Sequence, residues 1–122
     1  MIRIRSLAAL AALALAAMAL VAIGPAQAAV PKLTGTVGPG FTISLKKSGT
    51  AVKTLKAGKY SLVVTDKSGI HNFRLKGPGR INKATSIVKQ GTSTYALTLV
   101  KGTYTFLCDP HPSSMKGTFK VL

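Results

Sequence analysis

Residues 102–117 read GTYTFLCDPHPSSMKG, and this stretch is the most informative part of the sequence about the fold. Its first half alternates, so that Tyr104, Phe106 and Cys108 fall on one face of an extended strand. The two prolines of DPHP prevent the strand from continuing and stiffen the turn that follows. Cys108 is therefore predicted at the end of a strand, with its side chain directed toward the core.

The same period-two alternation recurs along the chain and is typical of half-buried strands. Turn signals rich in glycine and proline separate the runs, and no helical periodicity follows residue 28. Short strands punctuated this often predict an antiparallel β-sandwich. We expect Val30–Thr34 to be a short tether before the domain. The runs are Phe41, Ile43 and Leu45; Tyr60, Leu62 and Val64; Phe73 and Leu75; Tyr95, Leu97 and Leu99; Tyr104 and Phe106; Phe119 and Val121.

The N-terminal segment has the three-part layout of a secretory signal. Residues 1–5 carry two arginines, residues 7–23 are apolar, and residues 24–28 (GPAQA) end the run with small residues. We expect cleavage after Ala28, which leaves one domain of residues 29–122 exported to the periplasm or the extracellular space. The alternative is an uncleaved membrane anchor, because the apolar run approaches spanning length.

The chain is strongly basic, with 17 Lys and Arg, only two Asp and a formal net charge of +15. Since Arg3 and Arg5 leave with the signal, the mature domain retains about +13. Such a charge favours an acidic protein partner or weak contact with an anionic membrane surface. The lysines are scattered singly and are not interleaved with stacking aromatics, so nucleic acid is not an expected partner.

The chemistry-bearing side chains of residues 29–122 are His71, Cys108, His111 and Met115, and this stretch contains no other His, Cys or Met. Singly, each has an ordinary structural interpretation, as a buried thiol, a turn-capping histidine or a packed methionine. Together, two imidazoles, a thiolate and a thioether suit one copper ion, because soft sulfur ligands hold Cu(I) and imidazoles accept Cu(II). Zinc could use the cysteine and both histidines, but has little use for the thioether of Met115.

The pattern G-x-Y-x-F-x-C-x-P-H, with an earlier H-N-F at residues 71–73, resembles the plastocyanin-type cupredoxins, which are small exported blue copper proteins. The resemblance covers residues 58–122 well and residues 33–52 only as a strand pattern. It implies a Greek-key β-sandwich in which two His and one Cys are equatorial copper ligands and Met115 is a weak axial one. It also implies that Asn72 bonds to the backbone beside Cys108.

The ligand loop departs from the family pattern. Two residues separate Cys108 from His111 and three separate His111 from Met115, whereas plastocyanins usually place four in the second gap. The resemblance further implies that electrons pass through the solvent edge of His111. An apolar docking ring would surround that edge, formed by Pro110, Pro112, Gly38 and Gly40.

These features predict a monomeric one-electron carrier whose redox partner has an acidic docking surface. The alternative is a copper carrier or buffer, which would use the same ligands. An enzyme is not expected. Cys108 and His111 share one tight loop without a third group to orient the imidazole for thiol catalysis. A second copper centre would need histidines that the chain does not have.

Overall fold

A computed structural model describes residues 16–22, 24 and 28–122. Within them, ten strands follow one another along the chain, and no helix is formed. The strands are β1 (Lys32–Val37), β2 (Ile43–Lys47), β3 (Thr50–Ala51), β4 (Thr54–Leu55), β5 (Gly58–Asp66), β6 (Arg74–Gly77), β7 (Ile81–Ala84), β8 (Gly91–Leu99), β9 (Gly102–Leu107) and β10 (Lys116–Val121).

The strands form two five-stranded sheets, ordered β3-β2-β1-β5-β8 and β4-β10-β9-β6-β7. The predicted Greek-key β-sandwich is confirmed. Each sheet also contains one parallel pair, β1 with β5 and β4 with β10, so both sheets are mixed and not wholly antiparallel. The parallel pairs arise because the chain crosses between the sheets before it returns to the sheet it left.

Alternation along the strands builds the core. The burial of β5 switches at every residue, so Tyr60, Leu62 and Val64 face inward while their neighbours face solvent. Aromatic rings stack in the interior: Phe73, just before β6, lies on Phe106 with centroids 5.7 Å apart, and Tyr104 lies on Phe119 at 5.2 Å. The predicted strands around Leu62, Leu97 and Phe119 are all present.

The expectation of a tether at Val30–Thr34 is wrong, because β1 begins at Lys32 and lies in the middle of its sheet between β2 and β5. Leu33 and Val37 are fully buried, but the inward position between them is Gly35. A Cβ there would lie 2.9 Å from the Phe73 ring, so glycine is required by the packing. That glycine removes the apolar alternation by which the strand could have been recognised.

The predicted signal segment lies mostly outside the described residues, so its boundaries stay a prediction. The described residues before Pro31 are exposed and belong to no strand. Among the described residues, the buried apolar core runs from Leu33 to Val121. None of the described residues belongs to a helix that could cross a membrane.

The sandwich has two ends. We call the upper end the one at which β1, β5 and β9 finish, at Val37, Asp66 and Leu107. The lower end is the one at which β5 begins and β8 and β10 finish. Because β5 has nine residues and a strand rises about 3.3 Å per residue, the ends are roughly 25 Å apart.

The hydroxyl of Tyr104 connects two turns at the lower end through hydrogen bonds to their backbones. It accepts a hydrogen bond from the Val100 amide at 3.0 Å. The same hydroxyl can donate to the carbonyl oxygens of Val100 at 3.0 Å and Pro78 at 3.1 Å. The Tyr104 side chain is fully buried, whereas Val100 is exposed and Pro78 is half-buried, so the hydroxyl meets backbone groups near the surface of the lower end.

We predict that Tyr104→Phe lowers the free energy of unfolding by about 1 kcal/mol, because it removes the hydrogen bonds that connect the backbone of the two turns. Urea denaturation measures the change. The matched control is Tyr95→Phe, since Tyr95 is only half-buried and donates one bond to the Ala84 carbonyl at 3.1 Å. Equal losses for the two variants would contradict the role given to Tyr104.

Candidate metal centre

Two chain segments meet at the upper end of the sandwich. The first leaves β5 through a turn in which the Ser68 amide donates to the Asp66 carboxylate at 2.9 Å. The Ile70 amide then donates to the Ser68 hydroxyl at 3.2 Å. These local bonds turn the chain inward, and they place His71 in the interior with 1% of its surface exposed.

The second segment is the loop between β9 and β10, which backbone hydrogen bonds hold at both ends. The Cys108 amide donates to the Met115 carbonyl at 3.0 Å, and the His111 amide donates to the Cys108 carbonyl at 3.1 Å. The Met115 amide donates to the His111 carbonyl at 3.0 Å. Cys108, His111 and Met115 are thus fixed relative to one another by backbone bonds alone.

Three donor atoms converge where these segments meet. His71 Nδ1 lies 3.1 Å from His111 Nδ1, and the Cys108 sulfur lies 3.7 Å from His71 Nδ1 and 3.8 Å from His111 Nδ1. The point equidistant from the three atoms is about 2.1 Å from each, close to metal–imidazole and metal–thiolate bond lengths. We call these atoms the donor triangle, and one transition-metal ion fits it.

Of the four residues singled out in the sequence, three form this triangle, and Met115 joins the same buried cluster as Cys108. Met115 is 1% exposed and Cys108 is a fully buried free thiol. A thiolate and two imidazoles in a trigonal arrangement match the ligand preferences of copper. An axial contact from Met115 stays a prediction.

Phe41 lies over the triangle, and sequence analysis did not foresee this. Its ring meets the rings of His71 and His111 edge-on, with both centroid distances at 4.9 Å. Phe41 was predicted as an inward-facing strand residue, yet it precedes β2 and is 62% exposed. Gly38-Pro39-Gly40 just before it is the signal that the strand had not begun, so Phe41 could have been placed in a loop.

A hydrogen-bonded group that we call the Asp109 clasp joins the two segments. Asn72 accepts from the Asp109 amide at 2.8 Å and donates to the Asp109 carboxylate at 2.8 Å. The first of these is the bond that the family resemblance implies. Arg74, on β6, donates to both carboxylate oxygens of Asp109, at 2.6 and 2.8 Å.

Within the clasp, Arg74 and Asp109 each favour the charged form of the other. The hydrogen bond from Arg74 holds the pKa of the Asp109 carboxyl below its usual range, with a further contribution from Asn72. The same bond raises the pKa of Arg74. Asp109 is one of only two acidic residues in the chain and directly follows Cys108, which is the sequence signal that could have identified it.

The second carboxylate, Asp66, lies near the first segment. Only 4% of it is exposed, and burial raises the pKa of its carboxyl, while the Ser68 amide and the nearby His71 act in the opposite direction. Both acidic groups of the chain therefore lie at the upper end, and neither presents a free negative charge to a partner.

We predict that Arg74 and Asp109 are energetically coupled. Their bidentate geometry should make their interaction stronger than that of an ordinary surface ion pair. Arg74→Gln and Asp109→Asn should each destabilise the protein. The double variant should lose about 1 kcal/mol less than the sum of the single losses. Urea denaturation of the four proteins measures this difference. Lys83→Gln, on the neighbouring strand β7, is the control and should change little. Strictly additive losses would contradict the coupling.

Comparisons with known proteins agree with this centre. The sequence profile described as "Copper binding proteins, plastocyanin/azurin family" matches residues 40–122. No curated protein matches the chain.

Solved structures of rusticyanin share the fold at low sequence identity. A methionine-to-glutamine variant of rusticyanin matches with 19% identity and a TM-score of 0.55, covering 75% of this chain and 76% of that one. Rusticyanin from Thiobacillus ferrooxidans matches with the same identity and coverage and a TM-score of 0.50. A methionine-to-leucine variant of amicyanin has 17% identity and a TM-score of 0.49, covering 74% of this chain and 81% of that one. Because the profile spans more than half of the chain and includes the whole donor triangle, the chain belongs to the copper-binding plastocyanin/azurin family, with copper as its cofactor.

Proposed function

We propose that this protein is a one-electron carrier whose copper is held by His71, Cys108 and His111, with Met115 as a weak axial ligand. The donor triangle carries the proposal, because a thiolate and two imidazoles converge there on one point. Bound copper supplies a Cu(I)/Cu(II) couple. The protein supplies the fixed positions, the exclusion of water and the route to the surface.

Each ligand is held by bonds that do not involve the metal. The loop bonds fix Cys108, His111 and Met115, while Asn72 and Asp109 join that loop to the segment of His71. Ligands restrained in this way have little freedom to rearrange when the charge of the site changes. Such restraint favours electron exchange over release of the ion.

His111 is the one residue of the triangle that reaches the surface, since His71 and Cys108 are buried. Four exposed apolar residues lie on the loops of the upper end: Phe41 packs edge-on against the His111 ring, Pro110 and Pro112 adjoin His111 in the chain, and Ile70 precedes His71. Of the glycines expected in this ring, Gly40 is exposed but Gly38 is buried. We call these four apolar residues the docking patch, and a small apolar surface suits a transient redox encounter.

Three exposed lysines lie at the upper end: Lys67 directly follows β5, Lys89 lies two residues before β8, and Lys116 begins β10. They leave this end positive, because Asp109 is paired with Arg74 and Asp66 is buried. We propose that these lysines attract a redox partner with an acidic docking surface, and that the carrier acts as a monomer. Complementary charge raises the rate of encounter at low salt.

The N-terminal sequence supports a further part of the proposal, namely export of a mature domain of residues 29–122. Two early arginines, an apolar run and a small-residue ending are the features that secretion machinery recognises. Mass determination of the protein recovered from its native host tests this, since cleavage after Ala28 leaves a chain that starts at Ala29.

We predict that the Cu(II) protein shows an intense thiolate-to-copper absorption band in the visible, which disappears on reduction. Cys108→Ala should abolish the band because the thiolate is lost. Met115→Leu is the control and should keep the band, since the donor triangle is unchanged. A colourless Cu(II) complex, or a band that survives in Cys108→Ala, would refute the proposed ligands.

We also predict that electron exchange with an acidic redox protein slows as ionic strength rises to physiological values, because salt screens the attraction. Replacing Lys67, Lys89 and Lys116 together with Gln should lower the low-salt rate about tenfold. The triple variant Lys47→Gln, Lys56→Gln, Lys59→Gln loses the same charge at the lower end and should keep its rate. A rate that does not change with salt would contradict the proposed role of charge.

Slow electron exchange with rapid transfer of Cu(I) to an apo-protein would instead indicate a copper carrier.

A further inference from the structure

The positive charge of the domain is concentrated at the end opposite the metal centre. The strand registers place most of the exposed cations in the lower half of the sandwich and both carboxylates in the upper half. The lower half therefore carries no negative side chain among the described residues. Its cations are Lys32, Lys47, Lys53, Lys56, Lys59, Arg80, Lys101 and Lys120.

An open groove lies within this basic end. It has a volume of about 760 Å³ and runs between the β2–β3 hairpin and the turn from β4 to β5. Val52, Leu55 and Tyr60 contribute to its lining. These side chains are 6–8% exposed and present small apolar edges to solvent. We call it the lysine groove, because Lys47, Lys56 and Lys59 also line it.

The chain enters the domain at this groove. Pro31 lines it, and the Pro31 carbonyl accepts a hydrogen bond from the Ser61 amide at 2.9 Å, just before β1. Immediately upstream in the sequence are the small-residue segment and the apolar run of residues 7–23. The lower end is therefore the part of the domain that directly follows the N-terminal segment in the sequence. If that segment contacts a membrane during export, the lower end is the part of the domain closest to that membrane along the chain.

We propose that the lower end binds anionic phospholipid surfaces, with headgroup phosphates at the lysine groove. Lysines beside an anionic leaflet are attracted individually, and their aliphatic stems can lie on the apolar floor while the ammonium groups reach phosphate. The lysines are spread over several strands of one end, an arrangement that suits an extended charged surface better than a single small anion.

The position of this surface leaves the metal centre free. The docking patch around His111 lies at the upper end, roughly 25 Å from the lysine groove along β5. This separation exceeds the Debye length at physiological ionic strength, about 8 Å, so the two ends act on their partners independently. A protein bound through its lower end presents His111 to the aqueous phase, where a soluble redox partner can dock.

The test uses the copper-loaded domain of residues 29–122, which contains all ten strands of the described residues. Cosedimentation is measured with vesicles of phosphatidylcholine and with vesicles of equal parts phosphatidylcholine and phosphatidylglycerol. The groove variant carries Lys47→Gln, Lys56→Gln and Lys59→Gln. The control carries Lys67→Gln, Lys89→Gln and Lys116→Gln, with the same loss of charge at the upper end. The visible band of each protein reports that its metal centre is intact.

The expected result is binding to the anionic vesicles only, with an affinity about 100-fold lower in the groove variant at physiological salt. The control should lose less than about threefold, because its lysines are screened from the surface. Equal losses in both variants would overturn the proposal, since binding would then follow net charge alone. Equal binding of the unmodified domain to both kinds of vesicle would also overturn it. Release from vesicles by low millimolar inorganic phosphate would instead assign the groove to a free anion.

Discussion

Two reciprocal hydrogen bonds between Asn72 and Asp109 join the chain segments that carry the metal ligands, and the site depends on them. The pairing of β6 with β9 brings the two segments side by side up to Arg74 and Leu107, and the Asn72–Asp109 bonds continue that connection into the loops that carry His71 and His111. Arg74 extends the junction to β6, so the position of the ligand loop is tied to a strand of the sandwich. Bonds within the protein therefore hold the residues of the donor triangle in place.

The two ends of the sandwich have different surfaces. Both acidic residues lie at the upper end, and most of the exposed cations lie at the lower end. The upper end combines apolar exposed side chains with neutralised or buried acids, which suits brief contact with a protein. The lower end combines lysines with a shallow apolar floor, which suits an anionic surface. The nine residues of β5 separate these surfaces, so contact at one end does not occlude the other.

The fold and the three residues of the donor triangle were predictable because each leaves a local signal. Strict alternation marked β5, β8 and β9, and the sole cysteine identified the centre with its neighbouring histidine. What could not be read from the sequence depends on distant packing. Gly35 is dictated by a ring from the opposite sheet, and it concealed a central strand. Arg74 and Asp109 are 35 positions apart, and only the pairing of β6 with β9 brings them together.

Copper-edge X-ray absorption of the protein in both oxidation states measures the ligand shell directly. The account predicts two imidazole nitrogens and one short sulfur in each state, with little change in distance between them, because bonds within the protein hold the ligands. In Asp109→Asn, which weakens the clasp, the spread of these distances should increase while the ligand types remain. A shell of nitrogen and oxygen alone, or a shell that changes its ligands on reduction, would contradict a site assembled by the fold.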